Sequence, residues 1–118
     1  MDCVFCKILN KEIPGEILYE DNQVFIIKDI KPSAPLHFLV IPKLHIESIA
    51  DLKGENHEIV SAMIYAAKDF AKSKNIKGYK LVFNVGRDGG QIIDHLHLHI
   101  LAGWELNKIK TPDPKLDK

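Results

Sequence analysis

Apolar residues recur along this chain in two rhythms. Between residues 55 and 74, Ile59, Met63, Ala66, Ala67, Phe70 and Ala71 return every three or four positions, while Lys68, Asp69, Lys72 and Lys74 fall on the other side. That spacing predicts one long amphipathic helix. Elsewhere the apolar runs are short and rich in β-branched and aromatic residues. Residues 16–21 (EILYED) and 23–29 (QVFIIKD) flank a turn at Asp21-Asn22 and predict a hairpin. Residues 37–42 (HFLVIP) predict a third strand, entered from the proline loop IKPSAP and stopped by Pro42. Residues 78–85 (GYKLVFNV) and 95–101 (HLHLHIL) predict two more, joined by the glycine-bearing loop 86–94. At the N-terminus Asp2 is a candidate cap for a short helix over residues 3–10, which ends before Pro14 and Gly15. Helix, three strands, helix and two strands, with hairpin-type connections, predict an α+β domain built on a mainly antiparallel five-stranded sheet. The domain is expected over residues 1–103, and the polar, proline-containing residues 104–118 form a C-terminal tail.

Composition narrows the possible partners. A chain of 118 residues with 46% apolar and 27% charged residues can bury a core without crosslinks. Sixteen basic residues balance sixteen acidic ones, so net charge gives no reason to expect a nucleic acid or an anionic membrane as main partner. No window approaches the roughly 18 apolar residues of a membrane span, and the N-terminus shows no basic region followed by an apolar run, so a cytoplasmic location is expected.

The chemistry concentrates at the histidines. Of six, three occupy positions 95, 97 and 99. On a strand they share one face, and Leu96, Leu98 and Ile100 share the other. Such a face can be an edge strand's outer surface, a three-histidine ligand set for a catalytic metal, or one nucleophilic imidazole with neighbours that orient it and manage protons. In the preceding loop, Gly86, Gly89 and Gly90 let backbone N–H groups converge on an anion, which points to phosphoryl chemistry when set beside an imidazole. Taken alone, the loop is an ordinary hairpin turn. Cys3 and Cys6 form a C-x-x-C unit, which by spacing suits a metal ligand pair, two buried thiols or a redox motif.

Read together, loop and strand resemble the histidine-triad (HIT) superfamily of nucleotide hydrolases and transferases. Its signature, His-φ-His-φ-His-φ-φ with φ apolar, is matched in full by residues 95–101. FCKILNKEIP, KDIKPSAPLHFLVIPKLHI and NVGRDGGQ extend the similarity to the Hint-type branch over most of residues 3–103.

The resemblance implies a HIT-like α+β homodimer whose two sheets join. Its substrates would be purine nucleoside 5′-phosphoramidates or aminoacyl-adenylates, conjugates of AMP or GMP, hydrolysed at the α-phosphorus. His97 would be the nucleophile that forms a nucleotidyl-histidine, His99 would tend the leaving group and His37 would complete the polar cluster. Phe5, Ile13 and Ile27 match positions that hold the purine, Asp29 the acid that binds the ribose hydroxyls, and Asn84, Gly90 and Gln91 the phosphate side. Ile92 departs from the pattern, since the branch usually carries a hydroxyl residue there. Cys3, Cys6, His45 and His95 match the ligands of a structural Zn2+ found in a subset of the superfamily. The neighbouring functions are a dinucleoside polyphosphate hydrolase and a non-catalytic nucleotide-binding dimer.

Overall fold

A computed structural model describes residues 3–104 of the chain. The expected order of elements is present: α1 (Val4–Leu9), β1 (Ile17–Glu20), β2 (Val24–Lys28), β3 (Leu36–Pro42), α2 (His57–Ser73), β4 (Tyr79–Val82) and β5 (Leu98–Ala102). The strands form one antiparallel sheet in the order β1-β2-β3-β5-β4, so the last strand of the chain lies inside the sheet. The β1–β2 turn is closed by Asp21, whose Oδ1 accepts from the Gln23 and Val24 N–H groups at 2.7 and 2.9 Å. This is the local side-chain bonding that makes Asp a turn residue.

Alternation along the strands divides the interior in two. Val24, Ile26, Phe38, Val40, Leu98 and Ile100 point to one face and pack against Met63, Ala66, Ala67 and Phe70 of α2. The Phe38 and Phe70 rings meet edge to face at 5.0 Å, a geometry that adds to simple area burial. Phe25, Ile27, Leu39 and Ile41 point to the other face, where Cys3 and Phe5 from the α1 region cover them. Residues 24–27 of β2 are therefore buried on both sides, which accounts for a continuous apolar run where a half-exposed strand would alternate. The same parity sends His37, His97 and His99 to the face opposite α2.

Three boundaries differ from those expected. The fifth strand begins at Leu98, not His95. On its β5 side, β3 has its last pair at Val40–Leu98; two residues further on, Pro42 has no N–H to give and its carbonyl is taken by the His95 ring at 2.8 Å. Leu96 N–H instead donates to Ile46 O at 2.7 Å. The fourth strand stops at Val82, whose partner His99 is the second residue of β5. Helix α2 starts at His57, the preceding residues Gly54–Asn56 forming a tighter 3-10 turn. Helix α1 is capped by the Cys3 sulfur, which accepts from Cys6 N–H at 3.4 Å. Asp2 and most of the expected tail lie outside the described residues. Of that tail Trp104 is described, stacked beneath Lys80 Nζ at 4.9 Å. Among the described residues no helix is long and apolar enough to cross a membrane.

Candidate functional site

On the sheet face opposite α2, His97 is buried and its Nδ1 lies 2.7 Å from the carbonyl oxygen of His95. A carbonyl only accepts, so Nδ1 carries the proton and Nε2 keeps its lone pair. Phe5 packs edge-on against the ring at 5.2 Å and fixes its plane. Burial pushes the His97 pKa below its ordinary value, against the opposing pull of the His95 carbonyl and the Asp29 carboxylate. The ring is a neutral, oriented nucleophile.

A second chain of bonds fixes the remaining tautomers. Ser33 N–H donates to His37 Nδ1 at 3.0 Å, so the His37 proton sits on Nε2. That atom lies 2.8 Å from His99 Nδ1, which accepts, and the His99 proton therefore sits on Nε2. His99 Nε2 is 3.4 Å from the Asn84 carboxamide, whose oxygen suits this position better than its NH2. Burial pushes the His99 pKa down to about 4, with His97 and His37 adding to the effect. Near neutral pH His99 is thus an uncharged ring whose Nε2–H faces Asn84. Asp29 closes the group: Oδ1 accepts from Lys31 N–H at 2.8 Å, and Oδ2 lies 3.4 Å from His37 Nε2. It is both a turn-forming residue and a wall of the site.

Of these residues Phe5, Asp29, His97 and His99 line a cavity of about 390 Å3. Phe5, Ile27 and Leu39 make it apolar, while Asp29, His97 and His99 supply its polar groups and Gly90 part of its rim. An apolar slot with a few convergent polar atoms suits a flat, partly polar ligand. Gly90 holds φ +88°, a conformation that favours glycine.

Three of the residues matched to the nucleotide, Ile13, Asn84 and Gln91, are not among those lining this cavity. Ile13 borders a separate open hollow beside Pro14 and Gly15. Ile8, on α1 and five residues earlier, lines both. Gln91, matched to the phosphate side, has no free amide atom. It is 2% exposed; Oε1 accepts from Gly86 N–H at 2.9 Å, and Nε2 donates to Glu47 O at 2.6 Å and Ile93 O at 2.9 Å. Gln91 braces the loop. Arg87 assists, donating to Gln91 O at 2.7 Å and pairing in a fork with Asp94 at 2.8 and 3.0 Å. Sequence pattern did not single out Arg87, Asp94 or Ser33; an i, i+7 pair across a glycine loop was the signal for the first two.

His95 does not join His97 and His99 in one ligand set. Its ring turns to the cysteines: Nδ1 lies 3.2 Å from Cys3 Sγ and 3.6 Å from Cys6 Sγ, and His45 Nδ1 lies 3.5 Å from Cys6 Sγ. The four ligand atoms lie within 4.8 Å of one another. A tetrahedral zinc with bonds of about 2.3 Å to sulfur and 2.0–2.1 Å to nitrogen sets its S and N ligands roughly 3.6 Å apart, so the four residues fit such an ion. His95 Nε2–H, held on Pro42 O, leaves Nδ1 unprotonated for that purpose. Burial and the neighbouring Cys3 raise the Cys6 pKa to about 11, so a cation binding here displaces a proton. A second group, Asp29, His37 and His99, also brings its ligand atoms within 4.8 Å.

Comparison with known proteins places the chain among relatives of matching length. Residues 2–110 match the family described as scavenger mRNA decapping enzyme C-term binding. Protein HitA of Neisseria gonorrhoeae is 43% identical over 102 residues, covering 86% of this chain and 95% of that protein. A HIT family hydrolase from Legionella pneumophila superposes with a TM-score of 0.84 at 41% identity, covering 89% of this chain and 96% of the other. A zinc-bound histidine triad family protein from Mycobacterium smegmatis superposes with a TM-score of 0.80 at 31% identity, covering 97% and 84%.

Proposed function

We propose, on the premise that this chain belongs to the histidine-triad superfamily, that it hydrolyses purine nucleoside 5′-phosphoramidates or aminoacyl-adenylates through a nucleotidyl intermediate on His97. The observation that carries this reading is the 2.7 Å bond from His97 Nδ1 to the His95 carbonyl, which leaves Nε2 as a lone pair on a ring that lines the cavity. A pre-oriented nucleophile converts much of the entropic barrier into binding geometry.

In this reading the purine lies between Phe5 and Ile27, and Asp29 accepts from the ribose hydroxyls. The anionic phosphate opposes the effect of burial on His99, so His99 takes up one proton from solvent as substrate binds. His97 Nε2 then bonds to the α-phosphorus, the bond to the leaving group breaks, and His99 Nε2–H gives that group its proton. Water attacks the phosphorus in the second step, returns a proton to His99 and frees His97 Nε2, and that proton goes back to solvent as the nucleoside monophosphate leaves. Gln91 acts by holding the loop that carries Gly90.

Cys3, Cys6, His45 and His95 would hold a structural zinc ion. Bound zinc supplies a fixed charge and four bonds, stiffening the residue whose carbonyl sets the His97 tautomer. The protein is a cytoplasmic homodimer in this proposal. One of the two free sheet edges, β4, carries the exposed apolar Leu81 and suits sheet-to-sheet pairing.

Denaturation in alkali during turnover of an AMP phosphoramidate, conditions under which a P–N bond to imidazole survives, should trap AMP on His97, and His97→Gly should abolish both label and turnover. Turnover without any trapped nucleotide, or an active His97→Gly, would refute the intermediate. The Asp29–His37–His99 group favours one second reading, a metallohydrolase. Loss of turnover on chelation, restored by added metal with His97→Gly equally active, would select it. Competition between a phosphoramidate and a dinucleoside polyphosphate separates the two hydrolase types, and binding without turnover of either would identify a nucleotide-binding dimer.

A further inference from the structure

Not every side chain at the cavity mouth is used by a nucleotide. Ile92 is 81% exposed and Ile30 is 92% exposed, and both line the cavity. Apolar side chains left in water around a binding cavity mark surface that a ligand covers. The two belong to different ends. Ile30 follows Asp29, on the loop assigned to the ribose. Ile92 belongs to the loop that brings Gly90 to the rim, where His97 and His99 supply the reacting groups.

Ile92 is also firmly placed. The backbone on both sides of it is tied down, since Arg87 donates to Gln91 O at 2.7 Å and Gln91 Nε2 donates to Ile93 O at 2.9 Å. Its side chain is therefore displayed from a fixed turn. Val4 of α1 and Ile93 extend the apolar surface, and the three residues line both the nucleotide cavity and an adjoining hollow of about 440 Å3. A group departing from the phosphorus has an apolar ledge to rest on and space past it. A hydroxyl at position 92 would donate to a phosphate oxygen; isoleucine has no such donor.

We infer that Ile92 selects the leaving group: the protein favours nucleotide conjugates whose leaving amine or acyl group carries an aryl or branched alkyl body seated on Ile92 and Val4. This rests on the nucleotide-hydrolase reading and specifies its substrate class.

The test compares kcat/KM for AMP phosphoramidates of phenethylamine and ethanolamine, two amines of similar basicity that differ in apolar surface. The unaltered protein should prefer the phenethyl compound about tenfold, the factor expected for roughly 60 Å2 of apolar surface removed from water. Ile92→Ser should bring the ratio near one, and Ile92→Leu should keep it. An unchanged ratio in Ile92→Ser overturns the inference and leaves the hydrolase reading standing. If the unaltered protein releases AMP from neither compound, that reading falls and the inference with it.

Discussion

Replacing Gln91 by methionine, which nearly preserves its length and volume, tests whether this residue is a brace or a ligand. The substitution removes three hydrogen bonds and leaves Gly86 N–H, Glu47 O and Ile93 O without their partner. An unsatisfied buried group costs about 1–3 kcal/mol. Gly86 and Glu47 are exposed residues, so water reaches part of what is lost. The total should therefore be about 2–4 kcal/mol rather than three full penalties. In urea the unfolding midpoint falls with little change in slope, and the thermal midpoint drops by roughly 4–8 °C per kcal/mol for a domain of this size. Gln91→Glu should be at least as harmful, since a carboxylate has no N–H for the Glu47 and Ile93 carbonyls and faces them with charge. A phosphate ligand would behave differently, with KM rising and stability intact. If Gln91→Met unfolds at the same urea concentration as the unaltered protein while KM rises, the bracing role is wrong.

Two further outcomes follow from the same geometry. Cys3→Ser should reduce bound zinc below one per chain and lower the thermal midpoint, with turnover lost in the same chelator titration because the His95 carbonyl loosens; full activity at zero metal would refute the coupling. The His99 pKa, pushed down to about 4 in the fold from its ordinary 6.5, means that the unfolded chain binds more protons between those values. Stability should therefore fall as pH drops from about 6.5 toward 4, and the shift is worth at most about 3 kcal/mol, nearer 1–2 after solvent screening of a partly exposed ring. Urea midpoints of His99→Gln across that range should show a flatter slope, and an identical slope would exclude the assignment.

The elements that were legible in the sequence are those whose period is enforced by a neighbour. α2 shows its stripe because one face packs on the sheet, and the parity that puts His97 and His99 on one face is visible in the alternation of leucine and histidine alone. What escaped the sequence depends on chain segments meeting from far apart. The start of β5 is decided by Pro42, more than fifty residues earlier, whose carbonyl takes the His95 ring. Gln91 is saturated only because the segment carrying Glu47 passes beside it. Ile13 matched by resemblance, yet the turn at Pro14 and Gly15 carries it to another hollow. Ser33 acts through its backbone N–H, which no residue type advertises.

The position of β5 between β3 and β4 has a consequence for how the molecule is made. β4 pairs with β5 and β5 with β3, so during synthesis residues 79–82 wait for their bonding partner until residues 98–102 have left the ribosome. Ribosome-bound chains halted before that point hold a three-stranded fragment with an exposed β3 edge, a target for chaperones and proteases. The strand that completes the sheet also delivers His99, immediately after His97, so every chain that reaches a closed sheet acquires its chemistry in the same event.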